Sequence, residues 1–396
     1  MIRRSLVALV AIALVAGCTS EAPTIGTPVH TAPGVSVDDT TPIDMTVSAD
    51  APFPEARCEA NKAAGTITFL TGFDYAAAAS MIDVFVARAR GYYAALCLDV
   101  AIEPSFSSDN YALIAADTAQ FASGSSFAEL VQYAGRNEAQ FKALAVDGRR
   151  DIGALIVKPD EVHSLDDLRG QKIGVKSAML PSVEAMLLQH GLESGKDYEI
   201  VQLDGFDPKV HIATPDIVGF DGYQSNEPLQ LQQAGIDFRQ FNPSDDGIPG
   251  SFGVIYSNQT FIDEHPTAAE DFMRPTMRGL RDAIDDPAAA TDEAIKLLNA
   301  SDNPLSLSPD SEAARWQFES KIVAESATRS FPIGVPDPVL LEKEIAAYGE
   351  LGVFHGITPD YSQAVDPTMV KSLYDYYGSI IWPAETAVSP VPRSSP

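Results

Sequence analysis

Residues 153–177 read GALIVKPDEVHSLDDLRGQKIGVKS, and the order of elements in this stretch decides the fold class. Residues 153–158 are a short apolar run of the length and character of a buried strand. Leu165-Asp166-Asp167-Leu168-Arg169-Gly170 is a helical turn, residues 172–175 are a second strand, and Lys176-Ser177 leads into a helix over about 181–190. Short apolar strands that alternate with amphipathic helical patterns predict an α/β architecture.

The same alternation extends outward in both directions. Upstream, residues 65–70 (GTITFL) read as a first strand, 79–90 as a helix ending near Gly91, 98–102 as a second strand and 110–117 as a helix. Residues 119–122 are a short strand, and Ser123-Gly124-Ser125-Ser126 sits where the next helix starts. Serine hydroxyls and free backbone N–H groups there can bind a ligand oxygen or serve as an ordinary N-cap. Downstream, 217–220 is a strand opening into Asp221-Gly222-Tyr223-Gln224-Ser225-Asn226-Glu227-Pro228, and 251–257 (SFGVIYS) is another. Beyond it the chain is mostly helical, over about 268–285, 288–299, 311–325, 338–351 and 367–377, and no internal repeat is visible.

The 396 residues carry 27 Lys plus Arg against 55 Asp plus Glu, a net charge of −28. That balance excludes nucleic acid as a partner, because binding a phosphate backbone requires a basic face. Apolar residues at 45% and charged residues at 21% are those of a globular protein with a real core. The length suggests about two domains.

The first 17 residues read as a targeting segment. Arg3 and Arg4 form a positive n-region, and 6–16 form an apolar run too short to span a bilayer. Val15-Ala16-Gly17-Cys18 looks like a bacterial lipobox, which makes Cys18 the expected lipid anchor; a plain secretory signal with an incidental Cys is the other reading. Residues 18–59, rich in Thr, Pro, Ser, Ala and Asp, read as a disordered tether, and 383–396 as a disordered tail. Two cysteines remain, Cys58 and Cys97. In an oxidising compartment they are expected to form a disulfide, with two free buried thiols as the alternative.

Catalytic and metal templates are missing. The six His residues show no HExxH or paired spacing, so no metal site is expected. Gly170 to Ser177 (GQKIGVKS) resembles a P-loop only superficially, because Val175 separates its second Gly from the Lys. There is no GxGxxG after a strand and no GxSxG elbow.

A resemblance runs through the body of the chain. Thr68-Phe69-Leu70, Phe73-Asp74-Tyr75, Phe85-Val86-Ala87-Arg88-Ala89-Arg90-Gly91-Tyr92-Tyr93 and Leu98-Asp99-Val100 resemble the opening of the thiamine-pyrimidine-synthase-like (SsuA/Thi5-like) family of type II periplasmic binding proteins. The segment LDDLRGQKIGV (165–175) and the loop Asn226-Glu227-Pro228 continue the likeness in order and spacing, over about 65–377.

The resemblance implies two α/β lobes joined by two crossing strands, with a ligand cleft between them. Lobe one is then 60–154 plus 254–382, lobe two is 155–253, and the crossing strands are 153–158 and 251–257. It implies an extracytoplasmic lipoprotein of an ABC importer, acting as a monomer that binds a small molecule, works with a permease and its ATPase, and needs no cofactor. The implied ligand-binding residues are Phe73, Asp74, Tyr75, Ser123, Ser125, Lys176, Ser177, Tyr223, Asn226 and Glu227. Aromatic rings among them can stack on a flat ring, and the polar groups can hydrogen-bond its edge. Asp74 and Glu227 favour an amino-bearing heterocycle such as a thiamine pyrimidine precursor, whereas Lys176 and the helix N-termini favour an alkanesulfonate-type or other small organic anion. A ligand sensor without transport is a further reading. The related synthases carry a His near the position of Met81 and a cysteine-rich stretch, and this chain has neither, so no enzymatic activity is expected.

Overall fold

The computed structural model describes residues 44–384 apart from 302–304, 306 and 358. The expected signal peptide, Cys18, most of the tether and the tail beyond 384 lie outside the described residues.

The strands run in chain order as β1 Thr66–Leu70, β2 Asp99–Glu103, β3 Phe121–Gly124, β4 Phe141–Gly148 and β5 Gly153–Val157. They continue as β6 Lys172–Val175, β7 Glu199–Gln202, β8 Gly219–Tyr223, β9 Arg239–Phe241 and β10 Phe252–Asn258. They form two five-stranded mixed sheets, ordered β2-β1-β3-β10-β4 and β7-β6-β8-β5-β9. In the first sheet β1, β2 and β3 are parallel and β10 is antiparallel to β3. In the second, β6, β7 and β8 are parallel and β5 is antiparallel to β8. The chain passes from the first sheet to the second through 149–152 and returns through 242–251. Each of the expected crossing strands hydrogen-bonds within one sheet, β5 in the second and β10 in the first.

The reason these segments are strands is burial on both faces. Every residue of β5 and of β10 is buried, which is why they read as continuous apolar runs rather than alternations. On one side of the first sheet Ile67, Phe69 and Phe121 pack on the helix Pro266–Asp285. There the ring of Phe272 stacks on Phe121 with centroids 3.9 Å apart. A fully buried aromatic of this kind contributes about 1.5–3 kcal/mol. A second cluster joins Phe141 and Val146 of β4 to Leu155, Val157, Ile173 and Val175 of the other sheet.

The N-terminal boundary needs correction. Residues 55–59, expected inside the tether, belong to the helix Glu55–Ala63, which is docked rather than free. Its buried residues are polar: Arg57 Nε and Nη2 donate to the Asp271 carboxylate at 2.6 and 3.0 Å, and Asn61 Nδ2 donates to it at 2.8 Å. A helix that docks through an arginine and an asparagine leaves no apolar stripe to read. Cys58 and Cys97 form the expected disulfide, with Cα atoms 5.3 Å apart and a sequence separation of 39. Closing a loop of that length is worth about 4 kcal/mol in the chain-entropy model. The other end of the described chain meets the same region. The Ala384 N–H donates to Ala51 O at 2.9 Å, and Arg278 lies over the rings of both Tyr92 and Trp382.

Candidate functional site

In each sheet the parallel strands end along one edge, and the loops leaving that edge face a common cavity of about 630 Å³. The first sheet supplies Gly72 and Phe73 after β1, Phe106 after β2, and Ser123 to Ser125 at the end of β3. The second supplies Lys176 to Leu180 after β6, Phe206 after β7, and Tyr223 with Ser225 to Glu227 after β8. Carboxyl ends of strands are where open α/β sheets bind ligands.

Of the ten ligand-binding residues expected from sequence, Phe73, Ser123, Ser125, Lys176, Ser177, Tyr223, Asn226 and Glu227 line this cavity. Asp74 and Tyr75 do not, and that expectation is corrected. Asp74 adopts a left-handed backbone (φ 48°) and its side chain is buried, with Oδ2 unbonded among the described residues. Burial raises its pKa. Tyr75 turns away and meets Phe85 edge-on at 6.1 Å. The tight turn marked by the Ala76 N–H to Phe73 O bond lets one residue of this aromatic loop reach the wall.

Two charges on which opposite ligand classes depended cancel each other. The Lys176 ammonium pairs with Glu227 Oε1, and Glu227 Oε2 accepts the Tyr223 N–H at 2.8 Å. Burial works to raise the pKa of Glu227, but the ammonium and the N–H outweigh it and hold the carboxyl below its ordinary value. Both Glu227 oxygens are thereby engaged, whereas the pairing takes up one of the three donors of the Lys176 ammonium.

Several wall residues carried no expectation from sequence. Phe106 and Phe206 stack across the gap between the sheets' loops, centroids 5.4 Å apart and planes 8° from parallel, and Phe73 meets Phe206 edge-on at 5.1 Å. Phe206 lies in the polar loop Asp204-Gly205-Phe206-Asp207, where nothing in the local pattern marks it. The helix Pro309–Ser326 contributes a connecting face. Arg315 Nη2 donates to Asn226 Oδ1 at 2.6 Å, and Glu319 accepts the Ser225 hydroxyl at 2.6 Å and the Ala79 N–H at 2.7 Å. This one helix therefore bonds to a loop of each sheet.

Two further carboxylates stand on the wall. Glu129, on the helix Phe127–Asn137, accepts the Ser125 hydroxyl, and the Tyr111 hydroxyl lies 3.5 Å away. Burial raises its pKa. Asp221, in β8, takes the Leu180 N–H on Oδ2 at 2.8 Å, and its Oδ1 has no partner among the described residues. Burial, partly offset by Lys176, lifts it to about 7. A lone carboxylate within the apolar strand Gly-Phe-Asp-Gly-Tyr was the available signal for Asp221. For Glu129 the signal was Ser126-x-x-Glu129, which reads as a capping box; Ser126 does accept the Glu129 N–H, but the carboxylate is engaged by Ser125.

Comparison with known proteins agrees with this geometry. The family model described as NMT1/THI5 like matches residues 78–290, more than half of the chain. A curated relative, Riboflavin-binding protein RibY of Chloroflexus aurantiacus, is 24% identical over 280 residues, which are 70% of this chain and 75% of that protein. Among solved structures, a Candida albicans protein with the generic periplasmic binding protein fold superposes with a TM-score of 0.57 at 13% identity, over 76% of this chain and 96% of that one. The alkanesulfonate-binding protein SsuA from Xanthomonas axonopodis pv. citri, bound to MOPS, gives 0.56 at 11% identity, over 76% and 98%. At these identities the two structures establish the fold and nothing about the solute.

Proposed function

The chain belongs to the NMT1/THI5-like family, and we propose that it is the extracytoplasmic solute-binding lipoprotein of an ABC importer, anchored at Cys18, that captures a flat aromatic or amino-heterocyclic compound. It performs no chemistry on that compound. In this reading 60–154 with 254–382 form one lobe and 155–253 the other, and a solute bound from both sides favours the closed arrangement that a permease reads.

The observation that carries the reading is the set of three phenylalanines, Phe73, Phe106 and Phe206, gathered on the cavity wall from loops of both sheets. Aromatic faces bind flat rings by stacking and edge contacts worth about 0.5–1.5 kcal/mol each beyond simple burial. The anion reading loses its main support, because Lys176 is already paired with Glu227. A sulfonate at this wall would meet the carboxylates Glu129 and Asp221, with Lys176 paired to Glu227, Arg315 paired to Glu312 and Arg136 as the remaining cation.

The test is a thermal-shift panel on the secreted chain with riboflavin, aminopyrimidines, aromatic acids and alkanesulfonates, followed by calorimetry. Riboflavin enters the panel because a relative is named for binding it. A ligand at 100 times its dissociation constant stabilises by about 2.7 kcal/mol, a visible rise in Tm. A response confined to MOPS and other alkanesulfonates would overturn the aromatic reading in favour of an organic anion.

A further inference from the structure

The charges on the cavity wall do not balance. Lys176 is paired with Glu227 and also acts on Asp221, where the charges of Glu227 and Glu129 are felt as well. Arg315 is occupied by Glu312 at 3.1 Å and by Asn226. Arg136 lies on the same wall, about two turns along the helix from Glu129, and its charge is felt at Glu184. The groups that touch Glu129 are hydroxyls, those of Ser125 and Tyr111. Asp221 is 2% exposed and leaves Oδ1 unbonded, a costly state for a carboxylate unless positive charge is nearby.

These two carboxylates come from different sheets. Glu129 follows β3 and Asp221 lies in β8, both line the one cavity, and the charge of Glu129 disfavours an ionised Asp221. We infer that the solute carries positive charge, as a protonated amine, an amidinium or a quaternised ring nitrogen, and that this charge, placed between Glu129 and Asp221, is what makes closure favourable. The inference rests on the ring-binding reading of the cavity and names its ligand class: a flat organic cation. Without such a cation the closed cleft must take up a proton at one of the two carboxyls. With the cation bound, both remain ionised.

Benzamidine, benzamide and benzoate share one ring and differ by unit charge, and calorimetry of the full secreted chain at about pH 8 separates the cases. Benzamidine is expected to bind about tenfold or more tightly than benzamide, with benzoate weakest. The preference should collapse in the Glu129→Gln/Asp221→Asn double variant, whose side chains keep their size. In the unsubstituted chain benzamidine affinity should fall between about pH 8 and pH 5 as the carboxyls take up protons, a readout that does not depend on the variant folding. Equal affinity for benzamidine and benzamide, tightest binding of benzoate, or a preference that survives in the double variant would overturn the inference and leave the ring-binding reading intact. If none of the three ring compounds binds, the ring-binding reading fails and the inference fails with it.

Discussion

Asp271 and Asp221 are almost equally withdrawn from water, 0% and 2% exposed, yet their surroundings are opposite. Asp271, on the helix Pro266–Asp285, receives Arg57 through two N–H groups, Asn61 at 2.8 Å and Arg274 at 3.4 Å. Asp221 receives one backbone N–H and keeps an oxygen unbonded. The first arrangement holds a helix on the body; the second leaves a carboxylate in need of a counter-charge at the edge of a cavity. Burial alone does not distinguish a structural carboxylate from one available to a solute. The partners of each oxygen do.

The comparison breaks most visibly if Asp271 is removed. Asp271→Ala leaves Arg57 and Arg274 buried near one remaining carboxylate, Glu270, and should cost about 3–5 kcal/mol, read as a lower urea midpoint. A loss below about 1 kcal/mol would mean that the cluster is not structural. Next in size, replacing Cys58 and Cys97 by Ser should cost about 2–4 kcal/mol without altering ring binding, because the bridge ties the N-terminal helix to the start of β2.

Asp221→Asn should do the reverse and stabilise the chain by about 1–3 kcal/mol above pH 7. The sign comes from proton uptake. Below about pH 4 the carboxyl is protonated in both folded and unfolded chains and contributes no slope. Between that value and the folded-state pKa of about 7, the unfolded chain ionises first, so stability falls as pH rises and then levels off. The Asn variant lacks this decline, and paired urea titrations at the two ends of the range measure it. Glu227 has the opposite sign: its lowered pKa gives stability above the ordinary carboxylate range that is lost as pH falls. The smallest expected effect on folding is that of Phe206→Ala, within about 1 kcal/mol because the ring sits on an exposed loop, while solute affinity drops several-fold. A large fall in Tm would mark the ring as structural rather than part of the binding wall.

Much of this was legible from the sequence because buried strands are written as apolar runs. β1, β5, β6 and β10 stand out for that reason. β4 does not, although it sits in the first sheet beside β10, because FKALAVDG contains a single β-branched residue and two alanines. β7, with no buried residue, has no apolar alternation to read. The cavity loops could be found from the order of motifs, which is why eight of the ten expected residues lie on its wall. Which carboxylate pairs with which cation is a tertiary fact. Lys176 and Glu227 are 51 residues apart, and no local pattern joins them. Phe206 and Arg315 reach the wall from a polar loop and a distant helix, so their roles appear only once the chain is folded.

The bridge between Cys58 and Cys97 also defines a path for mechanical load. A pull applied at Asp44 enters the helix Glu55–Ala63 and is taken up by a covalent bond at Cys97 and by Arg57 on Asp271, all on the side of the first sheet. The passages at 149–152 and 242–251, which join the two sheets, are not part of this path. The second sheet with its loops therefore lies off that path, and the covalent bridge and the Arg57–Asp271 pair load the first sheet's side of the molecule.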